Sequence, residues 1–206
     1  MRTTPLTFFL LALVVIFWIS CTSQTPSFEF TAHHLKIQID PDQHQLFAVD
    51  TVSIRYFKNT DHIYFFLRDS LRVSHVGVGN QSFTIDEISN REAQNLFSKL
   101  APSDQAYLEK AQIVKVHIPK SLYAEKLEIR YSGVIDFKQN EPLIWFPLLP
   151  NVAATYDVTA VVPARFRLSF PGVCTEERAD ELWRFCRWQI KKPATECALS
   201  LVEIPS

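Results

Sequence analysis

The residues best suited to hold a metal ion or to move a proton at neutral pH are six histidines, His33, His34, His44, His62, His75 and His117. Zinc hydrolysis of the H-E-x-x-H type needs two histidines one helical turn apart, with a glutamate between them to activate water. No two of these histidines are four residues apart, so that chemistry is absent from the sequence. His33 and His34 are adjacent at the start of a strand pattern. Strand neighbours point to opposite faces, so the two are expected at a solvated or edge position and not on a shared ion. No metal site and no cofactor are expected.

Nucleophilic chemistry is equally thin. There is no G-x-S-x-G elbow, and Gly77-Val78-Gly79 lacks both the third glycine and the following helix of a dinucleotide-binding loop. The carboxylate pairs Glu87 with Glu92 and Asp136 with Glu141 read as solvated surface. Beyond Cys21 the cysteines are Cys174, Cys186 and Cys197, none with a histidine nearby in sequence. Two readings stand side by side. Cys174 and Cys186 bridge across a hairpin, worth roughly 3 kcal/mol for a loop of that size, or all three are buried, hydrophobic thiols.

The segments that would position such groups begin with an apolar run, Leu6 to Ile19, after a short stretch whose only side-chain charge is Arg2. This is the layout of a secretory signal, and Ser20 to Gln24 interrupt the run, which makes a spanning anchor the weaker reading; a plain cleaved signal is the other alternative to a lipoprotein. Trp18-Ile19-Ser20-Cys21 resembles the lipobox of bacterial lipoproteins, which implies lipidation of Cys21 and anchoring to a membrane of the cell envelope. Thr22 and Ser23 follow the cysteine in place of an aspartate that would resemble an inner-membrane retention signal, which favours the outer membrane where a cell has two. The expected layout is a signal peptide over 1–20, a tether over 21–29 and one domain over 30–206. Without Arg2, 20 basic residues stand against 22 acidic ones. Such a balance gives no electrostatic reason to expect nucleic acid as a partner. A 47% hydrophobic and 13% aromatic composition excludes disorder.

Period-two patterning fills most of the domain. Strands are expected at His34 to Asp40, Gln45 to Phe57 with a bulge near Asp50, Ile63 to Leu67, Leu71 to Val78, Ser82 to Ile85, Ile113 to Ile118, Leu127 to Tyr131, Tyr156 to Val162, Arg165 to Phe170, Trp183 to Ile190 and Glu196 to Ile204. Gly79-Asn80 fits a tight hairpin turn. Asp86 to Lys110 reads instead as an insertion of two short amphipathic helices broken at Pro102 to Asp104. The proline-bounded Pro142 to Pro150 reads as a buried crossing loop or an edge, and Glu176 to Glu181 as an exposed turn or short helical loop. The fold class is all-β, a β-sandwich of about ten mainly antiparallel strands. Trp145, Phe146, Trp183, Phe185 and Trp188 divide between core and interface. Trp145 and Phe146, with Leu96, Phe97 and Tyr107 of the insertion, are candidate contact residues.

Four segments in order resemble the N-terminal domain of the M1 zinc aminopeptidases, the group of aminopeptidase N and leukotriene hydrolase. They are His34 to Asp42 with Phe47 to Tyr56; Val116-His117-Ile118-Pro119 through Leu127 to Gly133, ending Tyr131-Ser132-Gly133; Trp145-Phe146-Pro147 with Tyr156 to Pro163; and Ser169 to Gly172 before Trp183 to Ile190 and Pro193. The resemblance implies a sandwich that, in complete enzymes, covers one side of a thermolysin-like catalytic domain. The chain reaches Ser206 where that domain would begin. It also implies a substrate-amine contact near Asp136, Gln139 and Glu141, around which the family's local pattern is absent. The expected function is a lipid-anchored, non-catalytic module that binds a protein partner, of a peptidase-like or membrane-complex kind. The alternatives are the N-terminal part of a split aminopeptidase, and a sandwich that binds peptides or sugars on a concave aromatic face including Trp145 or Trp183.

Overall fold

A computed structural model of the chain describes residues 27–86, 88–98, 100, 105, 110–119, 125–137, 144–195 and 197–204. In chain order the strands are β1 (Phe28–Asp40), β2 (Gln45–Tyr56), β3 (His62–Arg68), β4 (Leu71–Val78), β5 (Gln81–Ser82) and β6 (Ile85–Asp86), then the helix α1 (Asn90–Phe97). They continue with β7 (Ala111–His117), β8 (Lys126–Val134), β9 (Ala154–Pro163), β10 (Phe166–Ser169), β11 (Val173–Ala179), β12 (Trp183–Ala194) and β13 (Ser200–Glu203).

Alternation writes the first hairpin. Leu35, Ile37 and Ile39 of β1 and Leu46, Ala48, Asp50, Val52 and Ile54 of β2 are buried, with exposed or half-exposed residues between them. The turn joining the strands is held by Asp40 Oδ1, which accepts from the backbone N–H groups of Asp42 and Gln43 at 3.1 Å each. Alternation in β2 runs through Asp50 unbroken, so the bulge expected there does not occur. A carboxylate occupies an inward position and Phe47 and Val49 point outward. The bulge lies in β1, where Thr31 is the extra residue between the Phe30↔Ile54 and Ala32↔Ser53 pairs.

Eight strands form one sheet in the order β11-β12-β9-β1-β2-β8-β4-β5. Every pair in it is antiparallel except β1 with β9, which run parallel at the sheet's centre. The β4–β5 hairpin turns at Gly79-Asn80 as expected, with Gly79 at φ 57°. Gly133, in the Tyr131-Ser132-Gly133 run, faces Leu71, and a Cβ there would lie 2.2 Å from the Ser70 carbonyl oxygen. Only glycine lets β4 close on β8 at that point.

A three-stranded sheet, β3-β7-β6, and a two-stranded one, β10-β13, complete the fold. Ile63, Phe65 and Leu67 of β3 and Val114 and Val116 of β7 turn inward into one core with the large sheet, and the Phe30 and Phe65 rings meet at 6.4 Å. This is a sandwich, each buried Leu, Ile or Phe contributing about 1.5–3 kcal/mol over exposure. On the opposite face of β3-β7-β6, Glu92 of α1 meets Tyr64 and Lys115. Ser89 caps that helix, its Oγ accepting from Glu92 N at 3.2 Å. Ile88, Ala93 and Leu96 pack against the core. Of the second expected helix, after the break at Pro102 to Asp104, only Gln105 and Lys110 are described residues. Residues 144–148 cross beside β3, where Phe66 and Leu148 exchange backbone hydrogen bonds at 2.9 Å, the buried crossing expected of Pro142 to Pro150. The sequence hid β11: it is an edge strand exposed along nearly its whole length, so neither face carries an apolar period, and Glu176 to Ala179 is strand and not turn or helix.

Candidate functional site

Of the residues expected to carry function, the structure moves several inward. Trp145 and Phe146 are 0% and 2% exposed, so they are core and not interface. Trp145 Nε1 donates to the Cys197 carbonyl at 2.8 Å, and its ring meets Phe146 at 5.2 Å and Phe170 at 5.8 Å. A binding face that includes Trp145 is excluded for the same reason. Leu96 is half-buried against the core. Phe97 closes α1; nothing further is described of its side chain. Tyr107, Cys21, Gln139 and Glu141 lie outside the described residues.

Cys174, Cys186 and Cys197 are free thiols. Cys174 stands opposite Trp188 and Cys186 opposite Glu177, with a register shift between Cys174 and Glu176, so the candidate bridge is not directly opposed across the ladder and is not formed. Burial pushes Cys186 up to about 11 and Cys197 to about 12. Both are poor nucleophiles.

His33 was expected near solvent and is instead 3% exposed. Its Nδ1 is 2.7 Å from Oδ2 of the fully buried Asp50. The ring stacks on Tyr156 at 5.1 Å and meets the edges of Phe146 and Phe30 at 5.3 and 5.7 Å. Asp50 Oδ1 and the Tyr131 hydroxyl have no hydrogen-bond partner among the described residues. Burial, then the Asp50 carboxylate, raises Tyr131 well above the ordinary phenol range. Buried together, with His33 among Phe30, Phe146 and Tyr156, the pair is a contact between β1 and β2 inside the core.

A second histidine group lies open. His62 begins β3 and His117 ends β7, and the two are register partners, so their side chains emerge on one face. β6 sets Asp86 beside Lys115 on that same face. His62 Nε2 is 3.0 Å from Asp86 Oδ2, His62 Nδ1 is 2.8 Å from Asp61 Oδ1, and the two imidazoles are 5.0 Å apart. The hydrogen bond from His62, first among several causes, lowers Asp61 from the usual carboxylate range. One turn of α1 away, Glu92 accepts from Tyr64 Oη at 2.7 Å and pairs with Lys115 at 3.1 Å, and these bonds lower its carboxyl. Sequence spacing could not find this group, because the strand register assembles it.

Of the exposed apolar residues, Phe47, Phe57, Ile85, Val134, Val173 and Val202 are spread over the strands and their connections, and three others meet at one turn. Leu182, in the β11–β12 turn, and Trp183 are 71% and 42% exposed, and Ile204 is 37% exposed. The Ala164 N–H donates to the Leu182 carbonyl at 2.9 Å and the Ile204 N–H to the Arg165 carbonyl at 2.7 Å. Both contacts land on the same β9–β10 turn, which draws the three apolar side chains to one rim. Charged partners brace it: Arg165 binds Asp42, and Glu177 accepts from Arg184 at 2.7 Å and Arg167 at 3.3 Å. Elsewhere, the outer face of the large sheet holds a shallow depression of about 530 Å³ lined by Lys36, Gln38, Phe47, Val49, Ser74 and Arg130 among others. Phe47 is its one exposed aromatic, which gives a sugar or peptide little to stack on.

No protein-family model matches the sequence, and no curated protein matches it. Among solved structures the chain is similar to the M1 zinc metallopeptidase of Deinococcus radiodurans, at 16% identity and a TM-score of 0.62 over 86% of this chain and 42% of that one. A mutant two-domain M1 zinc metallopeptidase bound to L-tryptophan gives 16% identity and a TM-score of 0.64 over 87% and 43%. The same type of structure bound to L-arginine gives 15% and 0.62 over 87% and 43%. The likeness is one of fold, and this chain spans about two fifths of the length of those it matches. The fold of the described residues is that of the N-terminal β-sandwich of M1 zinc metallopeptidases.

Proposed function

We propose that the chain is a lipid-anchored, non-catalytic accessory module that docks a protein partner through the rim formed by Leu182, Trp183 and Ile204. One observation carries the reading: a fold that makes up about 42% of the matched peptidases, and accompanies a catalytic domain in them, sets three exposed apolar side chains, Leu182, Trp183 and Ile204, around the β9–β10 turn. Clustered apolar groups ringed by ion pairs are the anatomy of a docking patch. Among the described residues, His33 and Asp50 are buried and the thiols of Cys186 and Cys197 are pushed up by burial, so neither group favours a catalytic reading. Anchoring at Cys21 confines partner and module to one surface, where local concentration replaces a covalent link. The several acyl chains of a lipoprotein hold it there stably.

The experiment is capture of the lipidated protein from its own membrane, with Leu182→Glu/Trp183→Glu as comparison. Both residues are exposed and the variant should fold normally. A partner recovered with the native protein and lost with the variant supports docking at this rim. Recovery of nothing above a control lipoprotein overturns it. A partner carrying H-E-x-x-H without its own sandwich would establish the split aminopeptidase in place of the accessory module. Release of amino acids from aminoacyl substrates by the purified chain alone would overturn the non-catalytic reading.

A further inference from the structure

We propose that His62, Asp86 and His117 bind a single divalent transition-metal ion, zinc being the one their donor set suits best. One donor atom from each residue lies within 4.8 Å of the other two. Donors around a tetrahedral zinc at ordinary bond lengths are about 3.3 Å apart. Closing from one spacing to the other takes small rotations of half-buried side chains and no movement of strands. The backbone already aims all three at one point: His62 and His117 are register partners, and Asp86 stands opposite Lys115, two residues before His117 and on the same face.

The second observation is the donor count around His62. Its two ring nitrogens face two carboxylates, Asp61 at 2.8 Å and Asp86 at 3.0 Å. With Nε2 turned to an ion shared with Asp86, Nδ1 keeps Asp61 as the carboxylate that fixes the ring. This is also how metal-ligating histidines are commonly oriented, the far nitrogen donating to a carboxylate that fixes the ring.

Charge and burial agree. Asp61 and Asp86 bring two negative charges, while Lys115, on the same face as Asp86, is engaged by Glu92 at 3.1 Å. His62 and Asp86 are 23% and 32% exposed, screened enough to hold an ion and open enough to admit one. Two imidazoles with one carboxylate select zinc or a neighbouring transition ion over magnesium or calcium, which prefer all-oxygen shells. Three protein donors leave a fourth position for water or for a group from a partner. The site is built from three strands and is unrelated in spacing to the helical H-E-x-x-H arrangement. It is a metal site that the histidine spacings gave no reason to expect.

The test uses the full, untagged chain, stripped with a chelator and titrated with Zn²⁺ against a competing chromophoric chelator, with Mg²⁺ as control. One equivalent of zinc should bind and raise the thermal midpoint; Mg²⁺ should do neither. His117→Ala and Asp86→Ala should each weaken zinc binding by at least about tenfold, and Asp61→Asn, which only orients His62, by about 10- to 100-fold. Should an alanine variant misfold, His62→Gln/His117→Gln keeps polar bulk on the same face and must lose the equivalent. Absence of saturable zinc binding by the folded native chain overturns the proposal, as does one-equivalent binding that survives in the double glutamine variant.

Discussion

Two histidine–aspartate contacts of nearly equal length have opposite characters. His33 and Asp50, 2.7 Å apart, are 3% and 0% exposed within aromatic walls. His62 and Asp86, 3.0 Å apart, are 23% and 32% exposed, with a second imidazole and a second carboxylate beside them. In the first, both side chains are buried and aromatic rings stand against the imidazole, so the contact links strands of the core. In the second, lone pairs and solvent remain available, so the same chemistry can hold a ligand. Distance alone does not separate a structural pair from a binding one. The walls do.

Removing the dry pair should have the largest effect. Asp50→Ala leaves His33 buried without its partner and should cost about 2–3 kcal/mol, roughly 5–10 °C in thermal midpoint for a domain of this size; a change below 1 °C would mean the pair is not a cohesive contact. Thiol labelling reads the same wall by reactivity. Cys174 should modify first at neutral pH, with Cys186 and Cys197, pushed up to about 11 and 12 by burial, reacting only on unfolding. Equal rates for all three would contradict the enclosed core. A smaller effect concerns Asp157, whose carboxyl is lowered first by its hydrogen bonds from Arg187, at 2.9 and 2.6 Å. A folded-state value below the ordinary 3.8 contributes stability above that pH, and the contribution is lost as pH falls through the folded value. Asp157→Asn should therefore reduce the loss of stability between neutral pH and pH 3, measured by denaturant titration. At the open site, Asp86→Asn in metal-free protein should move stability by no more than about 0.5 kcal/mol. Smallest of all is Tyr131→Phe, which removes a buried hydroxyl with no partner among the described residues and should be neutral or slightly stabilising. A cost above about 1 kcal/mol would reveal a hydrogen bond to that hydroxyl.

The strands were legible where one face is buried and the other wet, as in β1, β2, β8 and β9, because alternation is then written into the residues. β11 was not, since an edge strand with both faces in solvent carries no such period. Asp50 misled for a related reason: a charged residue in an inward position looks like a break in phase, and only its partner, 17 residues back on the neighbouring strand, explains it. Aromatic composition could not separate core from interface at Trp145 and Phe146, although the prolines around them did mark a buried crossing. The His62 group was beyond reach for another reason. Its three members are 24 and 31 residues apart in sequence, and only the pairing of β3, β7 and β6 makes them neighbours.

The parallel pairing of β1 with β9 sets an order of events in time. Ala32 aligns with Thr155 and Gln38 with Val161, so one long edge of β1 has no mate until more than a hundred further residues exist. At a synthesis rate of roughly 5–20 residues per second, that interval is on the order of ten seconds. During it an unsatisfied, apolar strand edge is available to any other chain that meets it. Truncations that stop before β9 should therefore aggregate rather than merely lose stability, and a holdase on the nascent or exported chain would act at this seam.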